Sequence, residues 1–249
     1  FHPGWQDAKR FLNEELGSVL AFSAWYHDSV YRYAFQDNLY PVPVTSDGVK
    51  RPDTPWKEIR ERYYLITHGS HLLDTARYFL GDIVSIRARH TQAKGAHCWT
   101  IDANFVQGCQ GQLRLIVPAH ADFEEGLQIY GNEGSIEGRA LLPWFQRATV
   151  ECFKQGRYSR VLGEDGFTFK RQMEAFAATV LDGAPQLGAT VDDGLATVRG
   201  LVAVSLAIAT DTEVRLSDVH GGVLSAEQAA QTARTLLAAS GSGLERMTA

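Results

Sequence analysis

The stretch of sequence that decides the fold reads Thr67-His-Gly-Ser-His-Leu-Leu-Asp74 and continues as Thr75-Ala-Arg-Tyr-Phe-Leu-Gly81. Its apolar residues recur at the spacing of one helix face, and a glycine stands where a helix usually ends. The pattern therefore predicts a helix with one face against the core. The residues expected on that face are Leu72, Leu73, Ala76, Phe79 and Leu80.

The same helix carries two histidines and a carboxylate. His68, His71 and Asp74 are three residues apart, so on a helix they spread over an arc of about 120° beside the apolar face. Polar side chains at the margin of a buried helix can line a cleft, whereas most such histidines are hydrogen-bonded interior residues. Spacing alone leaves both interpretations open.

Three motifs in order along the chain resemble the second domain of the glucose–fructose oxidoreductase / inositol dehydrogenase (Gfo/Idh/MocA) family. That domain typically reads Gly-x-His-x-x-Asp and then a short helix ending in Leu-Gly, which corresponds here to Gly69, His71, Asp74 and Leu80-Gly81. Later parts of the domain are similar to residues 127–137, 176–183 and 192–195. The order and spacing fit from about residue 1 to residue 216, which is most of the chain.

The resemblance implies the substrate side of an NAD(P)-dependent oxidoreductase acting on a sugar or polyol. Such enzymes pass a hydride to nicotinamide while a base accepts the hydroxyl proton, and an imidazole with a usual pKa of about 6.5 suits that base. His71 matches the family's histidine and is the expected catalytic residue. The family commonly has an aspartate four residues earlier, where this chain has Thr67. The expected substrate-binding residues are His68, Thr67, Tyr64 and Asp74.

The nucleotide-binding motif of that family is missing from the sequence. No Gly-x-Gly-x-x-Gly turn, which would let the backbone approach a pyrophosphate, is present, and the Glu-Lys-Pro motif with its catalytic lysine is also absent. We therefore expect NAD or NADP to be bound mainly by an N-terminal domain outside these residues. The chain alone is expected to be inactive. Its expected partners are the sugar or polyol, that domain and further copies of itself.

Two alternatives remain open. His68, His71 and Asp74 could form a metal site, since imidazole and carboxylate suit zinc, iron or manganese. Zinc helices usually space their histidines four apart, however, and no third strong ligand is identifiable. The chain could instead be a non-catalytic assembly or scaffolding domain that kept the fold.

Composition favours one soluble globular domain, expected over residues 1–240 with a frayed tail at 241–249. The chain has 249 residues, of which 45% are hydrophobic and 21% charged. A net charge of -5 argues against nucleic acid and anionic membranes as partners. No apolar run approaches the roughly 20 residues of a membrane span and no leader opens the chain, so a cytoplasmic location is expected.

From Ile83 the apolar period changes from that of a helix to that of a strand. Successive strands without intervening helices predict an α+β fold, an open and largely antiparallel sheet with helices packed on one face. The inward residues are expected to be Val84, Ile86, Ala88, Ile101, Ala103, Phe105, Leu113, Leu115 and Val117, and the other face to carry Arg87, Arg89, Asp102, Asn104 and Arg114. That face is either solvated or, as the resemblance implies, the contact with a second subunit.

The remaining segments are assigned by their local patterns. Strands are expected at 18–26, 127–130, 135–139, 148–154 and 213–216, and helices at 5–16 and 226–239. Phe169, Met173, Phe176 and Val180 predict a further helix, and Thr190 with Asp193 a helix start whose buried stripe is Leu195, Val198, Val202 and Leu206. The aromatic, Pro-rich stretch 31–56 is expected to be an ordered loop over a cleft or an oligomer arm.

Overall fold

Alternating apolar and polar residues build one sheet, and the helices lie before and between its strands along the chain. The computed structural model describes residues 1–31, 48, 57–141, 149–160 and 168–219. The helices are α1 (Pro3–Glu14), α2 (Arg60–Leu80), α3 (Thr168–Asp182) and α4 (Val191–Thr210), and Leu216–Asp218 forms a 3-10 turn. The strands are β1 (Val19–Ser29), β2 (Ile83–Ala93), β3 (Ala96–Phe105), β4 (Gln110–Ala119), β5 (Glu124–Gly131), β6 (Gly134–Leu141), β7 (Thr149–Lys154), β8 (Arg157–Arg160) and β9 (Val214–Arg215).

Three predictions fall outside the described residues. They are the loop at 31–56, apart from Tyr31 and Gly48, the helix at 226–239 and the frayed tail at 241–249.

The strands of the described ranges form a single nine-stranded sheet in the order β8-β7-β6-β5-β1-β4-β3-β2-β9. Every neighbouring pair is antiparallel except β1 and β4, which run parallel. A parallel pair needs a long crossover connection, and α2, β2 and β3 lie between these two strands in the chain. The predicted α+β class and largely antiparallel sheet are confirmed.

Helix α2 packs as its sequence predicts, because every residue expected on its apolar face is buried. Its close contact with α4 depends on two glycines. A Cβ on Gly69 would lie 3.0 Å from Leu201 Cδ2, and a Cβ on Gly200 would lie 3.1 Å from Leu73 Cδ1. At each of these two contacts, a leucine of one helix packs on a glycine of the other.

Two details of the predicted core are wrong. Val84 is exposed and Ser85 is buried, because a register shift between Ile83 and Ser85 turns the start of β2 over. The buried Ser85 hydroxyl is satisfied by hydrogen bonds with Glu213 and with Asn104 Nδ2, the latter at 2.8 Å.

The buried stripe of α4 is only partly where predicted. Leu206 is buried and Val202 is partly buried, as expected, but Leu195 and Val198 are exposed. The buried residues of the first turns are Thr197 and Leu201, and the Thr197 hydroxyl donates to Asp74 Oδ1 of α2 at 3.4 Å. Among the described helices, α4 is the one that is long enough and apolar enough to span a membrane, with a mean hydropathy of 1.4. However, 44% of its most apolar 18-residue stretch is buried inside the domain.

Helix α3 forms where predicted but does not pack against the core. Its four large apolar side chains, expected on one helix face, are all more than 60% exposed; they are Phe169, Met173, Phe176 and Val180. The less exposed residues of α3 are mostly small, such as Ala175, Ala178 and Thr179.

A buried arginine joins α2 to α4. Arg77 Nη2 donates to Asp82 Oδ1 at 2.8 Å and to Asp193 Oδ1 at 3.2 Å, and Nη1 donates to the Asp193 carbonyl at 2.9 Å. Asp193 and Thr190 also form the predicted capping box at the start of α4. Hydrogen bonds from Thr190, with a smaller contribution from Arg77, hold the pKa of Asp193 below its usual value of 3.8.

We predict that Asp193→Asn lowers the free energy of unfolding at neutral pH by about 1 kcal/mol, because a neutral amide accepts weaker hydrogen bonds than those that the carboxylate accepts from Thr190 and Arg77. Because the folded-state pKa of Asp193 is lowered, its carboxylate stabilises the fold above pH 3.8, and this contribution is lost as the pH falls through the lowered value. Urea denaturation over a pH series should therefore show variant and wild type converging in acid. The neighbouring Asp192→Asn serves as control, and equal effects of both substitutions would contradict the assignment.

Candidate active site

A cavity of about 350 Å³ lies between the helices and the inner face of the sheet. Residues of α1, β1, α2, β5 and α3 and of the segment 187–189 line it. The hydrogen-bonding side chains in its wall are Gln6, Tyr26, His71, Asp74, Thr75, Tyr78, Glu125 and Gln172, and its aromatic side chains also include Trp5 and Phe79. Such a mixture of apolar walls and a few polar groups is typical of small-molecule sites.

One face of α2 supplies the central part of this wall. His71, Thr75 and Tyr78 follow the i, i+4, i+7 spacing of a helix face, and all three line the cavity. Sequence reasoning predicted His71 but missed Thr75 and Tyr78. The helical spacing from His71 was the signal that could have identified them.

The imidazole of His71 is held against an aromatic ring of the central strand β1. It stacks on Tyr26 with ring centroids 5.7 Å apart and an angle of 9° between the planes. Tyr26 is buried, whereas His71 is exposed on the cavity side. This arrangement fixes the ring of His71 while leaving it accessible to a ligand, and Tyr26 was not identified from the sequence.

His68 also contacts Tyr26 but lies in a different environment. It is only 7% exposed, its ring is 5.6 Å from that of Tyr26, and its Nε2 is 3.5 Å from Asp28 Oδ2. Asp28 is itself buried. The two histidines therefore diverge, one towards the cavity and the other towards a buried carboxylate.

An aromatic cluster continues from His68 away from the cavity. The ring of Tyr64 lies 6.0 Å from His68 and 5.6 Å from His97. His97 Nδ1 is 3.0 Å from His90 Nε2, so one of these two nitrogens carries the shared proton. Burial and the neighbouring His90 lower the pKa of His97, which favours its neutral form.

The remaining predicted site residues have local structural contacts. Asp74 lines the cavity, but its Oδ1 also accepts a hydrogen bond from Thr197 Oγ1 at 3.4 Å. The Thr67 hydroxyl donates to the Tyr63 carbonyl at 2.6 Å, one turn earlier in α2. Tyr64, Thr67 and His68 are not among the described residues that line the cavity, and their substrate-binding roles stay predictions.

The metal alternative finds no matching cluster in the part of the chain that the structure describes. No group of three or more His, Cys, Asp or Glu side chains is arranged there to hold a metal ion. Of the candidate ligands, His68 lies beside the buried Asp28, whereas His71 lines the cavity.

Comparison with known proteins relates both the sequence and the fold to one group of domains. A family model described as the GFO/IDH/MocA C-terminal domain matches residues 5–137, more than half of the chain. No curated protein is significantly similar to the chain.

Several solved structures have a similar fold. Aldose-aldose oxidoreductase from Caulobacter crescentus, complexed with glycerol, is 16% identical, with 86% of this chain and 61% of that chain covered and a TM-score of 0.65. An oxidoreductase domain protein from Kribbella flavida is 13% identical, with 86% of this chain and 64% of that chain covered and a TM-score of 0.64. Levoglucosan dehydrogenase in complex with NADH and L-sorbose is 16% identical, with 84% of this chain and 61% of that chain covered and a TM-score of 0.58. The chain thus spans less than two thirds of the length of each, and the likeness is one of fold.

We predict that His68→Ala destabilises the domain more than His71→Ala. Removing His68 takes the imidazole away from a buried carboxylate, which should cost about 1–3 kcal/mol of unfolding free energy. Removing the exposed His71 should cost about 0.5 kcal/mol, as for other surface changes. Urea denaturation of both variants measures the difference, and equal losses would show that His68 has no special role in the fold.

Proposed function

The chain belongs to the GFO/IDH/MocA C-terminal domain family, and on that premise we propose that it is the substrate-side domain of an NAD(P)-dependent oxidoreductase acting on a sugar or polyol hydroxyl. The nucleotide is held mainly by a nucleotide-binding domain outside these 249 residues. Two proteins of similar fold support the substrate class, since one was crystallised with glycerol and another with NADH and L-sorbose.

The observation that carries the proposal is the exposed imidazole of His71 in the wall of the cavity, stacked on the buried ring of Tyr26. In the proposed reaction the hydroxyl-bearing carbon transfers its hydride to NAD(P)+, and the hydroxyl proton passes to neutral His71, leaving a carbonyl product. The stacked ring has little rotational freedom, so the accepting nitrogen is positioned before the substrate binds.

The rest of the cavity wall suits a polyhydroxylated ligand. Its volume of about 350 Å³ lies towards the lower end of the range of about 300–1,000 Å³ found for small-molecule sites. Gln6, Thr75 and Gln172 can each donate and accept hydrogen bonds. Aromatic rings such as Trp5 and Tyr78 offer apolar surface for the C–H groups of a sugar ring.

We expect His71→Asn in the full-length enzyme to lower turnover by about 10²–10⁴-fold, because the amide cannot accept a proton near neutral pH. Steady-state oxidation of sugars and polyols with NAD or NADP, measured across pH, tests both the activity and the role of His71. The acid limb of the wild-type profile should disappear in the variant.

His120→Asn is the matched control for this experiment, since His120 is exposed and is not among the described residues of the cavity wall. Near-wild-type turnover in His71→Asn with an unchanged acid limb would exclude His71 as the base. Absence of any NAD(P)-linked oxidation in the full-length protein would favour the alternative, a non-catalytic assembly domain that kept the fold.

We also propose that copies of the chain associate through the open face of the sheet. Arg87 pairs across strands with Asp102, and Arg114 pairs with Thr100; the three charged side chains are exposed. Alternating charges on one flat face provide self-complementary contacts between two-fold related copies. A stable interface there should bury about 1,200–2,000 Å² in total.

The corresponding prediction is that Arg114→Glu weakens self-association, because it replaces a cation of this face by an anion. Sedimentation velocity over a concentration series should show a shift from oligomer towards monomer. Arg199→Glu, the same change at an exposed position of α4, should leave the distribution unchanged. A wild-type protein that is monomeric at high micromolar concentration would rule out the interface.

A further inference from the structure

We propose that the outward face of α3, formed by Phe169, Met173, Phe176 and Val180, is the surface on which the nucleotide-binding domain docks. This inference rests on the proposed function and adds to it the place of contact. The four side chains recur at i, i+4, i+7 and i+11, which puts them within a helix arc of about 60°.

The outward face of α3 is apolar where a surface helix should be polar. Its four side chains are 64%, 64%, 62% and 63% exposed in sequence order. The residues of α3 that are partly covered are Ala175, Ala178 and Thr179, together with Thr168. The large apolar groups thus point away from the domain and the small ones towards it. Helices of about 15 residues are marginal in water without packing, so this face needs a cover.

The outward face of α3 adjoins the candidate active site. Gln172 lies on α3 about 60° around the helix from Phe169 and about 40° from Phe176, and it lines the cavity. The segment that follows α3 contributes Leu187, Gly188 and Ala189 to the same wall. A domain that covers α3 therefore lies at the rim of the cavity.

The hydride transfer of the proposed function indicates which domain covers α3. The nicotinamide carbon and the substrate carbon must approach to about 3–3.5 Å, so the domain that holds the nucleotide has to lie against the cavity rim. The solved oxidoreductases of similar fold are longer than this chain, which covers 61% to 64% of them. Such proteins have room for a further domain that provides this cover.

Charge distinguishes this partner from a lipid surface. Outside its apolar face α3 carries Lys170, Arg171, Glu174 and Asp182, so its side chains sum to zero charge. Helices that lie on anionic membranes carry an excess of Lys and Arg on the polar face. A second copy of the chain has its own proposed contact on the opposite, open face of the sheet.

Hydrogen exchange of the full-length protein tests the docking surface directly. Amides 168–182 should exchange about tenfold or more slowly than in an unstructured peptide, and at a rate independent of protein concentration. Met173→Asp should abolish this protection and raise the apparent KM for the nucleotide about tenfold or more. Val106→Asp is the matched control, because Val106 is 60% exposed on the turn after β3, and neither property should change.

Rapid exchange of α3 in the wild-type protein would overturn the inference even if the enzyme is active. Protection that grows with protein concentration would identify a second copy as the cover, and protection that requires anionic vesicles would identify a membrane; either result also overturns the inference. Met173-dependent protection in a protein without NAD(P)-linked activity would support the docking surface while contradicting the proposed oxidoreductase function.

Discussion

The position of one aromatic ring, that of Tyr26, determines what the two histidines of α2 can do. Both imidazoles contact it, at centroid distances of 5.6 Å for His68 and 5.7 Å for His71. Tyr26 belongs to β1, which is paired on both sides, with β4 and with β5. The ring is therefore fixed by the centre of the sheet. Next to this ring, His68 is directed towards the buried Asp28, while His71 remains on the wall of the cavity.

Local patterns were sufficient wherever one short segment determines its own structure. The apolar face of α2, the alternation in β3 and β4 and the capping box of Thr190 and Asp193 were all predicted from neighbouring residues. The exposure of Val84 depends on a register shift between strands, and the buried Thr197 of α4 has its hydrogen-bond partner on α2, so neither is contained in its own segment. Tyr26 was missed for the same reason, since only the folded sheet brings it to α2.

The two faces of the sheet have different chemistry. The helix-covered face buries the core and carries the cavity at its margin, whereas the opposite face has charged residues in cross-strand pairs. Helix α3 is the exception on the covered side, because its large apolar side chains are mostly exposed. The proposed chemistry and the proposed domain contact therefore lie on the helix-covered side of the sheet. The proposed self-association lies on the opposite face.

The parallel pairing of β1 with β4 has a consequence for how the domain acquires its cavity. Phe22 pairs with Gly111, so the centre of the sheet closes only after a loop of about 90 residues has been ordered. Long-range pairings of this kind slow folding and are poorly formed in partly folded states. Tyr26 lies on the strand that makes this pairing, so the wall that unites it with His71 is built from contacts between distant parts of the chain. Ligand binding should in turn report on complete assembly of the domain.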